Sequence, residues 1–356
     1  MKNKTNSTRS ILRRFCIIAM VVAVMFSTVA CGCSRSSDPT VPSDPATSPT
    51  KPTSPTSPTT PTTPTSPTGP IDDAYNANFS DNTWAEIADA CQKNKVPDTW
   101  LVGDTKEMEI DGQSYTVAII GKNHDTYADG GIAPLTFQVI DLVTMAQMNS
   151  SATNEGGWTN SALRAMLNGD AFLNKLPNEV RKNLKVVNKM TNNGNADVIG
   201  EIAENIVTDG DKLFLLSSVE VTGAKFWDWY QVAYCNYLAS LGVSEQQLAA
   251  YREIYADFCG TMQAEGTQYD YYAPDGTTVT PPANLEELGN GLNLNYWYNA
   301  SAATLRAIEG HADAWWLRTP ASVYDGAFSA VDHRGNLNDF FLTATAEIGI
   351  SFAFCF

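Results

Sequence analysis

The chain has few histidines, little positive charge and none of the usual catalytic patterns. His124, His311 and His333 are the only histidines in 356 residues, too few for a multi-histidine metal centre without carboxylate help. There is no G-x-S-x-G elbow, H-E-x-x-H pair, P-loop or G-x-G-x-x-G loop, which removes the serine-hydrolase, zinc-protease and nucleotide-binding patterns. The seven cysteines contain no C-x-x-C pair, which argues against a zinc ribbon or a thioredoxin-like redox centre. Lys and Arg number 23 against 39 Asp and Glu, a formal charge of −16. A chain this acidic repels phosphate backbones and anionic lipid, so nucleic acid is a poor partner.

The start of the chain carries the clearest signal. Lys2, Lys4, Arg9, Arg13 and Arg14 precede an apolar run from Ile17 to Val29 that ends Thr28-Val29-Ala30-Cys31. A basic head, an apolar centre and a small residue at the end form a secretory signal, and the cysteine gives it the form of a bacterial lipoprotein signal. Residues 1–30 are therefore expected to be a signal peptide, with Cys31 lipidated as the mature N-terminus. Cys33 is the other option, but Ala30 suits Cys31 better. An uncleaved anchor is the alternative, although the run falls short of the ~20 apolar residues a spanning helix needs. The expected location is the outer face of the cytoplasmic membrane, in or beyond the cell wall, with membrane contact only through the lipid anchor. Removing the five basic residues of the signal leaves a charge near −21.

Residues 31–70 are rich in Pro, Thr and Ser, and from Asp38 to Pro70 almost wholly so. Proline recurs at nearly every third position, from Pro39, Pro42 and Pro45 to Pro64, Pro67 and Pro70. Three residues make one polyproline II turn, so the prolines share an edge and nothing remains to build a core. This is expected to be a disordered stalk, reaching on the order of 100 Å at ~3.1 Å per residue.

Residues 71–356 hold seven of the 18 prolines and a globular share of aromatics. They suit one domain. Asn82 and Thr83 are the candidates to cap a helix through Gln92, with Trp84, Ile87, Ala88 and Cys91 on one face. Met108–Ile110, an Asp111-Gly112 turn and Tyr115–Ile120 read as a hairpin, and Leu135–Ile140 as a strand. Trp158–Leu167 reads as a helix burying Trp158, Ala162, Ala165 and Met166. Leu184–Met190 and Leu213–Leu216 read as buried strands, and Trp227–Leu241 and Ser244–Met262 as two helices. Short strands follow at Trp315–Arg318, Ala327–Asp332, Leu337–Leu342 and Gly349–Phe354. The class is α+β, not a parallel sheet. Cys235 and Cys259, at the ends of the helical pair, suit either a disulfide or two buried thiols.

The candidate chemical groups are sparse. Asp209-Gly210-Asp211 with Glu220 resembles a calcium loop, but Phe214 stands where that loop needs glycine. His124-Asp125 suits either a metal or acid–base pair, or a turn with His124 bonded to backbone. Asp325, Asp332, Asp339, Asn336 and Asn338 gather near the last strands, where calcium coordination competes with ordinary solvated turns. No other cofactor is expected.

Several phrases together resemble one family. They are Asn123-His124-Asp125, Thr136-Phe137-Gln138, Met148-Asn149, Asn154-Glu155-Gly156-Gly157-Trp158 with Ser161 and Arg164, and Leu176-Pro177. Asp211 to Ser217 with Glu220, Glu265-Gly266-Thr267-Gln268-Tyr269, and Trp315-Trp316-Leu317-Arg318-Thr319-Pro320 complete the set. The chain is thereby similar, over about residues 107–356, to an uncharacterised extracellular bacterial family marked by a Trp-Trp-Leu-Arg-Ser/Thr-Pro signature. Members often end Gly-Val-Arg-Pro-Ala, where this chain reads Gly349-Ile350-Ser351-Phe352-Ala353. That family resembles C-type-lectin-like domains, including retroelement variable proteins and, more broadly, formylglycine-generating oxidases. The resemblance implies a lectin-like domain with a helical insertion at about 223–312. It also implies a ligand face between Ala321 and Glu347.

On this reading Tyr324, Asp325, Asp332, His333, Asn336, Asn338, Asp339 and Phe340 would meet a glycan, wall polymer or protein. Trp158, Arg164, Trp315, Trp316 and Arg318 would be structural, with Arg318 paired to a buried carboxylate. Tyr269, Tyr271 and Tyr272, with Tyr296, Trp297 and Tyr298, suit either sugar stacking or packing of the insertion. The expected function is a surface lipoprotein presenting a binding domain, and no enzyme. An extracellular metal-assisted enzyme around His124 and Asp125, and a wall-spanning structural module, are the alternatives.

Overall fold

The computed structural model describes residues 75–193, 205–224, 232, 235–236, 238–272, 304–321, 326–333, 335 and 342–356. The signal and stalk, most of the helix expected over Trp227–Leu241, and Tyr296, Trp297 and Tyr298 lie outside the described residues. Asp72–Phe356 form one compact unit.

Helix α1 (Trp84–Gln92) starts where its capping signal stands. The Thr83 side chain accepts from the Glu86 amide, and the Glu86 carboxylate accepts from the Thr83 amide at 2.7 Å. Trp84, Ile87, Ala88 and Cys91 are buried, as their spacing implies. Strands β1 (Thr105–Ile110) and β2 (Gln113–Lys122) form an antiparallel hairpin. Asp111 at φ 53° and Gly112 at φ 82° supply the two left-handed residues of a tight hairpin turn. Strands β3 (Thr126–Tyr127), β4 (Leu135–Val139) and β5 (Met145–Ala146) follow. Then come short helices α2 (Ala162–Leu167), α3 (Asp170–Leu173) and α4 (Asn178–Arg181), with strands β6 (Val187–Asn192) and β7 (Ile206–Asp211). Helix α5 (Ser218–Thr222) leads to the long α6 (Glu245–Gln263), capped by Ser244 as its sequence implies. The last elements are strands β8 (Ala307–Ile308), β9 (His311–Ala312), β10 (Trp315–Pro320), β11 (Ala327–Val331), β12 (Leu342–Thr343), β13 (Ile348–Gly349) and β14 (Ala353–Cys355). The class is α+β.

One sheet has the order β1-β2-β4-β14, all antiparallel. A second runs β12-β11-β10-β13-β5, with only β10 and β13 parallel. Strands β3, β6 and β7 form a third, and β8 pairs with β9. The single strand expected over Gly349–Phe354 is two, divided between the first two sheets. Ile350 exchanges backbone bonds with Val143 and Thr144, and Phe352 O accepts from Val139 N at 3.0 Å, so this segment joins the sheets. Beneath it Phe137 lies 5.3 Å from Phe354 and 5.4 Å from Phe356, with Trp84 5.9 Å from Phe137 (ring centroids). These rings form the centre of the core.

Two sequence expectations need correction. Trp158 is buried, but it precedes the helix: Ser161 caps α2, and the helix buries Leu163 and Leu167 instead. Ala162, Ala165 and Met166 are exposed because counting the helix from Trp158 rotates its face. Leu213–Leu216 is buried but carries no regular ladder. Asn168 Oδ1 accepts from the Lys212 and Leu213 amides, and its Nδ2 donates to Leu213 O. Phe214 pairs with Ala353 alone, and Leu215 and Leu216 give their carbonyls to Arg318. Side chains therefore replace the missing strand partner.

Candidate functional site: a buried charge cluster

The signature arginine lies at the centre of a cluster drawn from six parts of the chain. Helix α5 is one turn long and is nucleated by a capping box, in which Glu220 Oε2 accepts from the Ser217 amide at 2.8 Å. The same carboxylate takes both Nη atoms of Arg318 from β10, with Nη2 at 3.1 Å from Oε1. Lys189 Nζ from β6 reaches Glu220 Oε1 at 2.6 Å and Asp125 Oδ1 at 2.7 Å. Asp125 Oδ2 accepts from Thr136 Oγ1 at 2.6 Å and Tyr269 Oη at 2.9 Å. Arg318 also donates to the carbonyls of Leu215, Met190 and Glu265. Glu265, just past α6, accepts from the Asn192 amide at 2.9 Å and from Thr319 Oγ1. All five ionisable side chains are buried.

Their electrostatics follow from the pairing. Burial alone would raise the Asp125 carboxyl, but Lys189 and the surrounding donors hold it well below the usual carboxylate range. Glu220 feels the same burial, and Arg318 and Lys189 outweigh it and lower its pKa. Burial opposes the charge on Lys189, and Asp125 and Glu220 overcome it and raise its pKa. Two cations thus face two anions. Glu265 is the fifth group: burial pushes it up to about 7, only partly offset by Arg318, Thr319 and the Asn192 amide.

This arrangement ties the β2–β3 connection, β4, β6, α5, β10 and the segment after α6 into one body. Both oxygens of Asp125 and of Glu220 accept from protein donors, so the cluster positions backbone. A smaller clamp does the same nearby. Arg164 Nε meets Asp211 Oδ1 at 2.7 Å, Trp158 Nε1 donates to Asp211 Oδ2 at 2.8 Å, and Thr159 Oγ1 donates to Asp209 Oδ2 at 2.6 Å. A third links Arg306 to Tyr272 Oη at 2.8 Å and Ser351 Oγ at 3.2 Å, with Tyr272 donating to Gln138 Oε1.

The expected residues fall as follows. Trp158, Trp315 and Trp316 are fully buried. Their indole N–H groups donate to Asp211, Thr304 O and Ala146 O. Arg318 has the buried carboxylate partner expected of it, which is Glu220. His124 follows a left-handed Asn123 and stacks on Tyr269 with centroids 3.8 Å apart. Its Nε2 lies 3.1 Å from Thr267 O, while Nδ1 is 3.8 Å from Asp125 Oδ2. His124 thus stands on the turn after β2, bonded to backbone, and Asp125 within the charge cluster. Tyr269 and Tyr272 pack inside. Cys235 and Cys259 are buried thiols and form no disulfide.

Of the expected ligand face, Asp332 is partly buried and His333 exposed after β11. Tyr324, Asp325, Asn336, Asn338, Asp339 and Phe340 lie outside the described residues. Among the described residues no group of three His, Cys, Asp or Glu could hold a metal ion, and no helix is long and apolar enough to cross a membrane. Sequence reasoning missed Lys189 entirely and saw Glu265 only inside a phrase. A charged residue within an apolar strand pattern was the available signal for Lys189.

Residues 135–355 match a domain family of unknown function, DUF6273. The match spans β4 to β14 and includes Trp158, Arg164, Lys189, Glu220, Glu265 and Arg318. The chain belongs to this family. No curated protein and no solved structure matches it.

Proposed function

We propose that the protein is a surface-displayed lipoprotein whose domain binds a glycan, wall polymer or protein, and that the domain is lectin-like. Cys31 would carry the lipid, and the Pro/Thr/Ser segment would hold the domain away from the membrane. The observation that carries a binding reading is the use made of the signature Arg164 and Arg318. With Lys189 and Glu220 they are spent on holding the fold together, which leaves other segments to meet a partner. The buried strands β10 and β11 are a rigid base from which the segments at 322–325 and 332–341 leave. Strands this well buried suit recognition by Asp332, His333, Asn336, Asn338 and Asp339, together with Tyr324, Asp325 and Phe340.

The test is binding of the purified protein to arrays of glycans and wall polymers, with calcium and with chelator. Hits that require calcium would assign the acidic loops a cation; hits that survive chelation would assign recognition to the aromatic and amide groups. Alanine at Asn336, Asn338 and Asp339 should abolish binding with little change in Tm. A large fall in Tm with binding retained per folded molecule would make these residues structural. Serine at Cys31 should abolish palmitate labelling and release the protein from the membrane fraction.

A further inference from the structure

Residues 174–189 carry Lys175, Arg181, Lys182, Lys185 and Lys189 against Glu179 alone, in a chain of net charge −16. Lys189 is consumed by the buried cluster, and Lys175 pairs with Asp111 at 3.0 Å. Lys182 and Lys185 instead line a cleft of about 710 Å³ with Gln92, Tyr127, Asp129 and Asn183. That volume falls within the roughly 300–1,000 Å³ typical of small-ligand sites.

The cleft has a fixed frame. Tyr127 Oη donates to Phe356 O, and the Tyr127 amide closes its loop on Gly131 O at 3.0 Å. The Lys185 amide is held by Cys355 O at 3.0 Å. Asn183 donates to Glu179 O at 2.7 Å and accepts from Gln92 Nε2 at 3.1 Å. Only the ammonium groups are loosely held. Lys182 is exposed, and Lys185 Nζ rests 3.6 Å from a mostly exposed Asp129 and 5.7 Å from the Tyr127 ring. An exposed pair of this kind is worth about 0–1 kcal/mol, so a ligand anion can displace it.

We propose that this cleft binds an anionic saccharide unit. The carboxylate or phosphate would lie between Lys182 and Lys185. The ring of Tyr127 would contact sugar C–H groups, while Gln92, Asn183 and Asp129 would exchange hydrogen bonds with hydroxyls. The inference deepens the glycan-binding reading and rests on it, but it places contact around β3 and α4, not between residues 321 and 347. It also gives an acidic protein one face on which a like-charged polymer is attracted.

The test is calorimetric titration of the full chain with three disaccharides of one size: a glucuronate, a phosphorylated and a neutral one. At least one anionic probe should bind, more weakly as salt rises, and about ten-fold or more tighter than the neutral probe. The double substitution Lys182→Gln, Lys185→Gln should cost about ten-fold or more in affinity at unchanged Tm. The preferred anionic probe tells carboxylate from phosphate. Equal binding of charged and neutral probes would overturn the proposal, and so would a double variant that binds as the unaltered protein does. If saccharides bind and only alanine at Asp332 and His333 weakens them, the cleft is excluded while the glycan reading stands. If no probe binds while the arrays give glycan hits, the cleft falls and the glycan reading stands; if neither gives a hit, both fall and a protein partner is left.

Discussion

Replacing Glu265 by Gln should flatten the pH dependence of stability between about pH 5 and 8. The Glu265 carboxyl titrates near 7 in the folded protein against an ordinary value of 4.5. Between those values the folded state holds a proton that the unfolded chain has lost, so stability falls as pH rises. The full effect is about 3 kcal/mol at roughly 1.4 kcal/mol per pKa unit, complete once pH exceeds the folded value. Glutamine keeps the shape. Its oxygen can accept from the Asn192 amide and its NH2 can donate to Thr319 Oγ1, the two positions the carboxyl uses now. The variant should match the parent within about 1 kcal/mol at pH 5 and exceed it by about 1–3 kcal/mol at pH 8. Urea denaturation of both proteins at several pH values measures this, since every other titrating group cancels in the difference. A constant difference across the range would refute the argument. So would a variant weaker than the parent at pH 8, because the Glu265 charge would then be a needed counterion to Arg318.

Three further substitutions test the same architecture. Lys189→Met leaves Asp125 without its cation and Glu220 with Arg318 alone, and should cost about 3–5 kcal/mol by urea denaturation; adding Asp125→Asn should restore part of the loss. Arg318→Lys keeps the charge but loses the fork that serves Glu220 and three carbonyls at once, and should lower stability by about 2–4 kcal/mol. A Gly326→Ala change puts a Cβ 2.3 Å from Ala152 O at a φ of +81°. It should lower Tm by several degrees, for a cost of about 1–3 kcal/mol.

Local signals were legible in the sequence, and long-range ones were not. The Thr83 cap, the Asp111-Gly112 turn and the Ser244 start of α6 each depend on residues within one turn of themselves, and each lies where its sequence implies. The need for a carboxylate beside Arg318 was also readable, because an arginine in a buried strand cannot remain unpaired. Its identity was not, since Glu220 is 98 residues away. Lys189 was hidden for the same reason: its burial depends on two acids supplied by other elements. The phase of α2 failed because a tryptophan just outside a helix was counted as its first residue. The run Ile348–Phe356 is apolar apart from Ser351, so little in it marks where it leaves one sheet for the other.

That last segment has a kinetic consequence. Strand β14 pairs with β4 across more than two hundred residues, and Phe354 and Phe356 fill the space between Phe137 and Trp84. Neither sheet is joined to the other, nor the aromatic centre filled, until residues 348–356 are in place. Contacts this distant in sequence pay the loop-closure entropy before they return any stability, so the folding barrier is high and the chain collapses late. A chain holding everything up to about residue 340 would lack the segment that joins the two sheets and fills the aromatic centre, and would stay open until residues 348–356 closed it.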